Sequence, residues 1–499
     1  MVNAPSTQPK PGPFALPPLA VASHPDVILS PRELRRWIEG LPLANPAKAA
    51  DMLLHQLRLL ARDPQRNPRF ATLLELYQEP LEQLQTIVDE RRPAGLECAL
   101  PLDQLESLLV ELLVELAYGH LRIANGMLSG GKTPTAAILF RAIGLLDAAL
   151  SVERTHYRRP SLERWRLLLS IYLHAEYHKV TDQKLDAGPG PDDAPDTIQG
   201  LFFRALIVSL CDPHNQPPGE VHQWYRWTGA HVDLLSLTVL PQGTFTIPID
   251  ITGGQALLTG ARKGRPGPET RYLACDRFKQ RLEEDEAAPA GLKRALTGLI
   301  RGRRTPEQRK AERQPRNHPY QLILGMHNIH RRLSELTQGA TPDRSAVTPT
   351  SCLQVNQSRF GAAFRLRGPV NPPFSIGEPV LAEADTPNTQ APVGFAARIR
   401  RVFSEDDRGI EIGVEKIQGR LVPLTIVGAA AERSRGDNLA LLQHDTETGR
   451  YTLLAARSLF REGDIVTADG PSMRYKLHML RLGGVVQHTA YIDVEPTGG

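Results

Sequence analysis

Residues 352–368, CLQVNQSRFGAAFRLRG, place two short runs of strand-forming residues on either side of a polar turn centred on Ser358. That is the pattern of adjacent antiparallel strands joined by a tight connection. The same character continues outward. YQLILG (320–325) precedes the stretch, and EPVLAEA (378–384), GFAARIRRVF (394–403), IEIGVEKI (410–417) and YTLLAARSLF (451–460) follow it, each bounded by turn residues. Short strands at regular spacing predict an antiparallel β-barrel or sandwich over residues 319–499.

Toward the N-terminus the character changes twice. Between Leu292 and Arg332 stand eleven Lys or Arg residues and only two acids, Glu307 and Glu312, so 301–318 reads as a basic linker or arm. Before it, residues 30–300 carry apolar positions at three- and four-residue spacing, broken by Pro and Gly, as in LDQLESLLVELLVELAYGHLRIAN and SLERWRLLLSIYLHAEYHKV. This predicts a mostly α-helical domain with a loop near 184–198 and a β insertion near 231–258. ETRYLACDRFKQRLEEDE is read as a return to helix after the insertion. The Pro-rich residues 1–29 lack the basic and apolar regions of a signal peptide and are expected to be a disordered tail. The predicted fold class is therefore α+β and multidomain, a helical bundle followed by one antiparallel barrel.

Composition narrows the function classes. The 499 residues are 41% hydrophobic and 23% charged, with a net charge of +4, the balance of a globular protein and no overall nucleic-acid signature. No apolar run reaches the roughly 18 uncharged residues of a membrane span. The four cysteines are widely separated and unpaired in pattern, as expected of reduced thiols in a cytoplasmic protein.

The turn at 356–361 supplies Asn356, Ser358 and Gly361 in the order N/D-x-S-x-x-G, and the basic junction supplies Arg309 and Arg313 in the order R-x-x-x-R, with Arg316 following. These two motifs, and the strand series after them, resemble the PilZ domain family over about the last 190 residues. The resemblance implies a barrel that binds cyclic di-GMP, with Arg309, Arg313 and Arg316 on phosphate and guanine, Asn356 and Ser358 on guanine, and Gly361 giving clearance. Those residue types suit the ligand: arginine's planar fork grips phosphate or a guanine edge, and Asn and Ser add neutral donors and acceptors. Arg313 and Asn356 stand farther apart than the family usually has them, with HNIHRRLSELTQ read as a helix between. Arg316, Arg331 and Arg332 therefore remain open as the arm, and Arg365 or Arg400 as extra charge. The implied protein is a receptor, with cyclic di-GMP as its regulatory ligand, no cofactor, and a protein partner on the helical domain. The alternative is a scaffold whose barrel has lost its ligand.

Other motifs are set aside. GMLSGGKT (126–133) spells a P-loop, but helical sequence precedes it and Pro134 follows, so it reads as a turn between helices. His174 and His178 lack a third metal ligand nearby. Trp224, Tyr225 and Trp227 read as packing. No catalytic constellation appears, and nucleic-acid binding lacks a reading module.

Overall fold

The computed structural model describes residues 13–497 except 65–66, 91–103, 160, 186–193, 252–269, 301–313, 340–348, 368–375, 386–393, 406–408, 434–437 and 487–488. The chain divides into two compact units, one lying within residues 1–308 and one formed mainly by residues 309–499, with His214–Pro217 grouped with the second.

The first unit is the expected helical bundle. Its helices are α1 (Pro31–Glu39), α2 (Pro46–Ala61), α3 (Phe70–Glu75), α4 (Gln78–Glu90), α5 (Gln104–Ser129), α6 (Ala136–Thr155), α7 (Leu162–Tyr177), α8 (Ile198–Leu210), α9 (Pro218–Ala230), α10 (Asp276–Glu284) and α11 (Ala290–Ile300). Side-chain oxygens begin four of them: Asn45, Thr135, Ser161 and Thr197 each accept from an amide in the following first turn. The long α5 runs through the core and buries Leu109, Leu113, Leu116 and Leu121. Its acids face basic neighbours, Arg62 meeting Glu115 at 3.1 Å and His156 meeting Glu106 at 2.9 Å.

Several expectations are corrected here. Residues 252–269 lie outside the described set, but the β insertion extends beyond 258. Strands β1 (Ser236–Thr238), β2 (Thr246–Asp250) and β3 (Thr270–Ala274) form an antiparallel sheet in the order β1-β3-β2. TRYLA, read as helix, is thus a strand. Arg271 and Leu273 alternate inward, and Leu273 pairs with both Leu237 and Ile247, contacts that local periodicity cannot register. The tail expected to be disordered is anchored from Phe14 onward. The Phe14 amide donates to Asn125 Oδ1 at 2.8 Å, Asn125 Nδ2 donates to the Phe14 carbonyl at 2.9 Å, and the ring packs 4.4 Å from that of His174. Residues 1–12 lie outside the described set.

The P-loop letters straddle a helix end: Gly126 to Ser129 are the last residues of α5, and Gly130 to Thr133 lie in the connection to α6, with Gly131 at φ +73°. Trp224 and Tyr225 are core residues. Tyr225 and Trp165 flank the buried Arg154, whose guanidinium lies 5.5 Å from each ring centre and donates to the Ala205 carbonyl at 3.0 Å.

One buried group in α5 makes the bundle acid-sensitive. Burial, reinforced by the Arg141 guanidinium, lowers His120 from its ordinary 6.5 to about 4. A depressed histidine pKa means that the unfolded chain takes up a proton between these values while the folded chain does not. Stability is therefore fullest above pH 6.5 and falls as the pH drops toward 4, by up to about 3 kcal/mol. Urea unfolding at both ends of that window checks this, and His120→Leu should shrink the difference. An unchanged difference in the variant would assign the effect to other groups.

The second unit holds two closed barrels of six strands where one was expected. The first contains β4 (Gln314–Leu324), β5 (Thr350–Gln357), β6 (Gly361–Leu366), β7 (Pro379–Ala384), β8 (Gly394–Glu405) and β9 (Gly409–Lys416), in the order β4-β5-β6-β9-β8-β7. The second contains β10 (Arg420–Val427), β11 (Leu439–Asp445), β12 (Arg450–Ala456), β13 (Ile465–Asp469), β14 (Arg474–Val486) and β15 (Thr489–Pro496), in the order β10-β11-β12-β15-β14-β13. Counting strands within each, both orders are 1-2-3-6-5-4, so one topology occurs twice. Alternating residues fill each interior, Leu322, Phe364, Val402 and Ile412 in the first and Leu424, Leu453, Met479 and Ile492 in the second.

Helix α12 (Met326–Gln338) joins the barrels. Its Ile329 is buried in one cluster with Ile323 and Leu381 of the first barrel and Leu441, Leu454 and Tyr491 of the second. Arg398 of β8 stacks 4.1 Å from the Tyr491 ring centre, and the Tyr491 hydroxyl donates to the Gly377 carbonyl at 2.5 Å.

Candidate functional site

The residues singled out in the sequence fall on β4, β5 and β6. Strand β4 begins at Gln314, inside the segment read as linker, and its first residues are exposed. It runs antiparallel to β5 with Gln314 opposite Gln357 and Pro315 opposite Asn356, before a bulge shifts the register to His318 opposite Gln354. Arg316 therefore sits on a strand, in the bulge beside Asn356, and its Nη2 donates to Gln314 Oε1 at 3.0 Å. Arg309 and Arg313 lie outside the described residues. Gln314, the residue after Arg313 in the sequence, pairs with Gln357 at the end of β5 that carries Asn356. The long separation in sequence is the excursion through α12, after which the chain returns to its starting strand.

Asn356, Ser358 and Gly361 are brought together by the β5–β6 turn, in three different roles. The Ser358 amide donates to the Gly361 carbonyl at 2.7 Å, and the Gly361 amide donates to Ser358 Oγ at 3.2 Å. Ser358 thus closes the turn. A Cβ on Gly361 would lie 2.5 Å from the Val414 carbonyl oxygen, so the glycine gives clearance to the neighbouring strand β9. Asn356 differs from both. Its Oδ1 is shielded from solvent and has no hydrogen-bond partner among the described residues, a state that costs about 1–3 kcal/mol unless another group supplies a donor.

The outer face of the first barrel continues from Asn356 in a cross-strand row: Asn356 opposite Ala363, Ala363 opposite Gly413, and Gly413 opposite Arg401. Two small residues thus lie between an amide and a guanidinium. Arg401 escaped the sequence reading because only the sheet register reveals its place in this row. The other arginines are accounted for. Arg332 is tied to Glu383 by two bonds of 2.8 and 3.0 Å, fixing α12 to the barrel wall and removing it as an arm residue. Arg331 donates within α12 to His327 at 3.1 Å. Arg400 pairs with Glu415 at 2.6 Å and Arg365 with Glu411 at 3.4 Å. Arg359, at the tip of the turn, reaches Glu447 in the matching β11–β12 turn of the second barrel at 3.3 Å. Burial pushes the Cys352 thiol of β5 up to about 12, so it stays protonated at neutral pH.

Residues 32–242 match the family model described as "Cyclic-di-GMP receptor FimW, N-terminal domain". The match lies within the helical part of the chain and ends at the first strands of the β insertion. No curated protein matches the chain. Among the described residues, no helix is long and apolar enough to cross a membrane, and no group of three or more His, Cys, Asp or Glu side chains is gathered as a metal site.

Proposed function

We propose that this protein is a cyclic di-GMP receptor whose first barrel is of the PilZ type and binds the dinucleotide on its outer face. Arg309 and Arg313 supply the arm, Arg316 anchors its base, and Asn356 meets a guanine edge, whose N–H groups are donors for the orphaned Oδ1. Ser358 and Gly361 shape the turn that holds Asn356. The observation that carries the reading is the β4–β5 register, which joins the arginine arm to the barrel at the unsatisfied Asn356. The match of residues 32–242 to the N-terminal domain of a cyclic di-GMP receptor supports it from the other end of the chain. The reading makes the protein a bacterial cytoplasmic effector, since the ligand is an intracellular messenger. Binding acts through differential affinity for two arrangements of the chain, with the helical unit presenting a surface to a protein partner.

Isothermal titration with cyclic di-GMP tests the proposal. Wild type should bind, and Arg309→Ala and Arg313→Ala should each weaken binding about tenfold or more, the loss expected when a charge-assisted bond is removed. A second reading, a scaffold without ligand, is favoured by the use of Ser358 and Gly361 in closing the turn. Absence of heat with wild type would decide for it. Binding that survives both arginine substitutions would move the site away from the arm.

A further inference from the structure

Three arginines on α1, Arg32, Arg35 and Arg36, stand at helical spacing i, i+3 and i+4 and share one exposed face. None of their side chains makes a hydrogen bond or ion pair with any described residue. By contrast, Arg58, Arg62, Arg141, Arg164 and Arg204 of the same unit each meet a carboxylate. With Pro31 and Glu39, the three line a surface depression of about 330 Å3. Leu34 on the opposite side is fully buried, and Trp37 and Ile38 pack against the core, so the orientation of the helix is fixed.

The three guanidinium groups are mutually repulsive along this face. Like charges at these spacings repel, and although Glu33 in the first turn and Arg36 in the last suit the helix dipole, neither neutralises the row of three guanidinium groups. Ser30, at the N-cap, forms no side-chain capping bond that would offset this. An external set of negative charges would relieve the repulsion among the three guanidinium groups.

We infer that this face of α1 docks an acidic segment of a partner protein. The depression is open and its guanidinium groups are exposed, which suits carboxylates presented by a second surface. A small free anion would lack the enclosing walls that displace its water. Arginine forks pair with carboxylates bidentately, and arginine is enriched at the energetic centres of protein interfaces. The inference rests on the reading of the helical unit as the partner-binding half, but not on the nucleotide site in the barrel.

The experiment uses the full chain without cyclic di-GMP and a fluorescein-labelled oligoglutamate peptide as probe. Wild type should bind it in a salt-sensitive manner, and the triple variant Arg32→Gln/Arg35→Gln/Arg36→Gln should bind about tenfold more weakly or worse, on the basis of three exposed ion pairs. The variant's thermal midpoint should hold or rise. Arg309→Ala/Arg313→Ala, which alters the basic junction instead, should leave peptide binding unchanged. Hydrogen exchange on wild type gives a readout independent of the variants' folding: added peptide should protect residues 31–39. Failure of wild type to bind, equal binding by the triple variant, or protection confined to the barrels would overturn the inference while leaving the nucleotide titration unaffected.

Discussion

Replacing Asn356 by alanine should hold or raise the thermal midpoint while weakening cyclic di-GMP binding at least about tenfold, the loss of one good hydrogen-bonded contact. A loss of binding without a loss of stability separates a residue kept for a ligand from one kept for packing. Its origin is the state of Oδ1, which is shielded from water and without a partner among the described residues. Such an acceptor has surrendered its hydration for nothing, and removing it recovers part of a penalty of about 1–3 kcal/mol. The side chain is only half-buried, so the packing lost is small. The ligand would supply the missing donor, and the alanine variant has nothing to receive it. Thermal unfolding with and without the dinucleotide measures both quantities: wild type should gain stability from ligand, and the variant little. A variant that loses stability yet binds normally would show that Asn356 serves the barrel alone.

Gly361→Ala should behave in the opposite way, losing stability and binding together. The added methyl would lie 2.5 Å from the Val414 carbonyl oxygen, and Gly361 pairs with Glu415 in that same strand, so relief requires parting β6 from β9. Overpacking against backbone costs about 1–3 kcal/mol or more. The resemblance to PilZ barrels implies clearance for the ligand at this glycine; the close approach found here is to the neighbouring strand. Gly413→Ala is the control. A Cβ there would meet Arg401 Cβ at 3.5 Å, ordinary contact, so its midpoint should change little. Equal stability of the two alanine variants would remove the strand-clearance explanation. If Gly361→Ala kept wild-type stability but lost the ligand, the glycine would have to be reassigned to the binding surface.

These two variants also separate what the sequence motif contains. N/D-x-S-x-x-G looks like a list of ligand contacts, yet in the folded turn Ser358 and Gly361 bond to one another and to the barrel, leaving Asn356 as the residue with unspent hydrogen-bonding capacity. The arginine half was harder to read. Arg316, Arg331 and Arg332 are equivalent candidates as letters, but Arg332 is held by Glu383, 51 residues away, and Arg331 by His327 within its own helix. Nothing local in HRRLSE distinguishes them. Arg401 carries no motif at all and enters the candidate surface only through its pairing with Gly413.

By itself the sequence determined the helical bundle, the antiparallel strands that follow it and the turn at Asn356 to Gly361. Each depends on interactions over a few residues: apolar spacing on one helix face, alternation along a strand, and turn residues that allow the chain to reverse. Only the tertiary structure decided that the strands close into two barrels of one topology, that TRYLA is a strand, that Phe14 is pinned to Asn125, and that after the excursion through α12 the chain returns to pair with β4, with Asn356 opposite Pro315. Closure and register are set by hydrogen bonds and packing between segments distant along the chain, and a strand's alternation is the same whichever neighbour it pairs with.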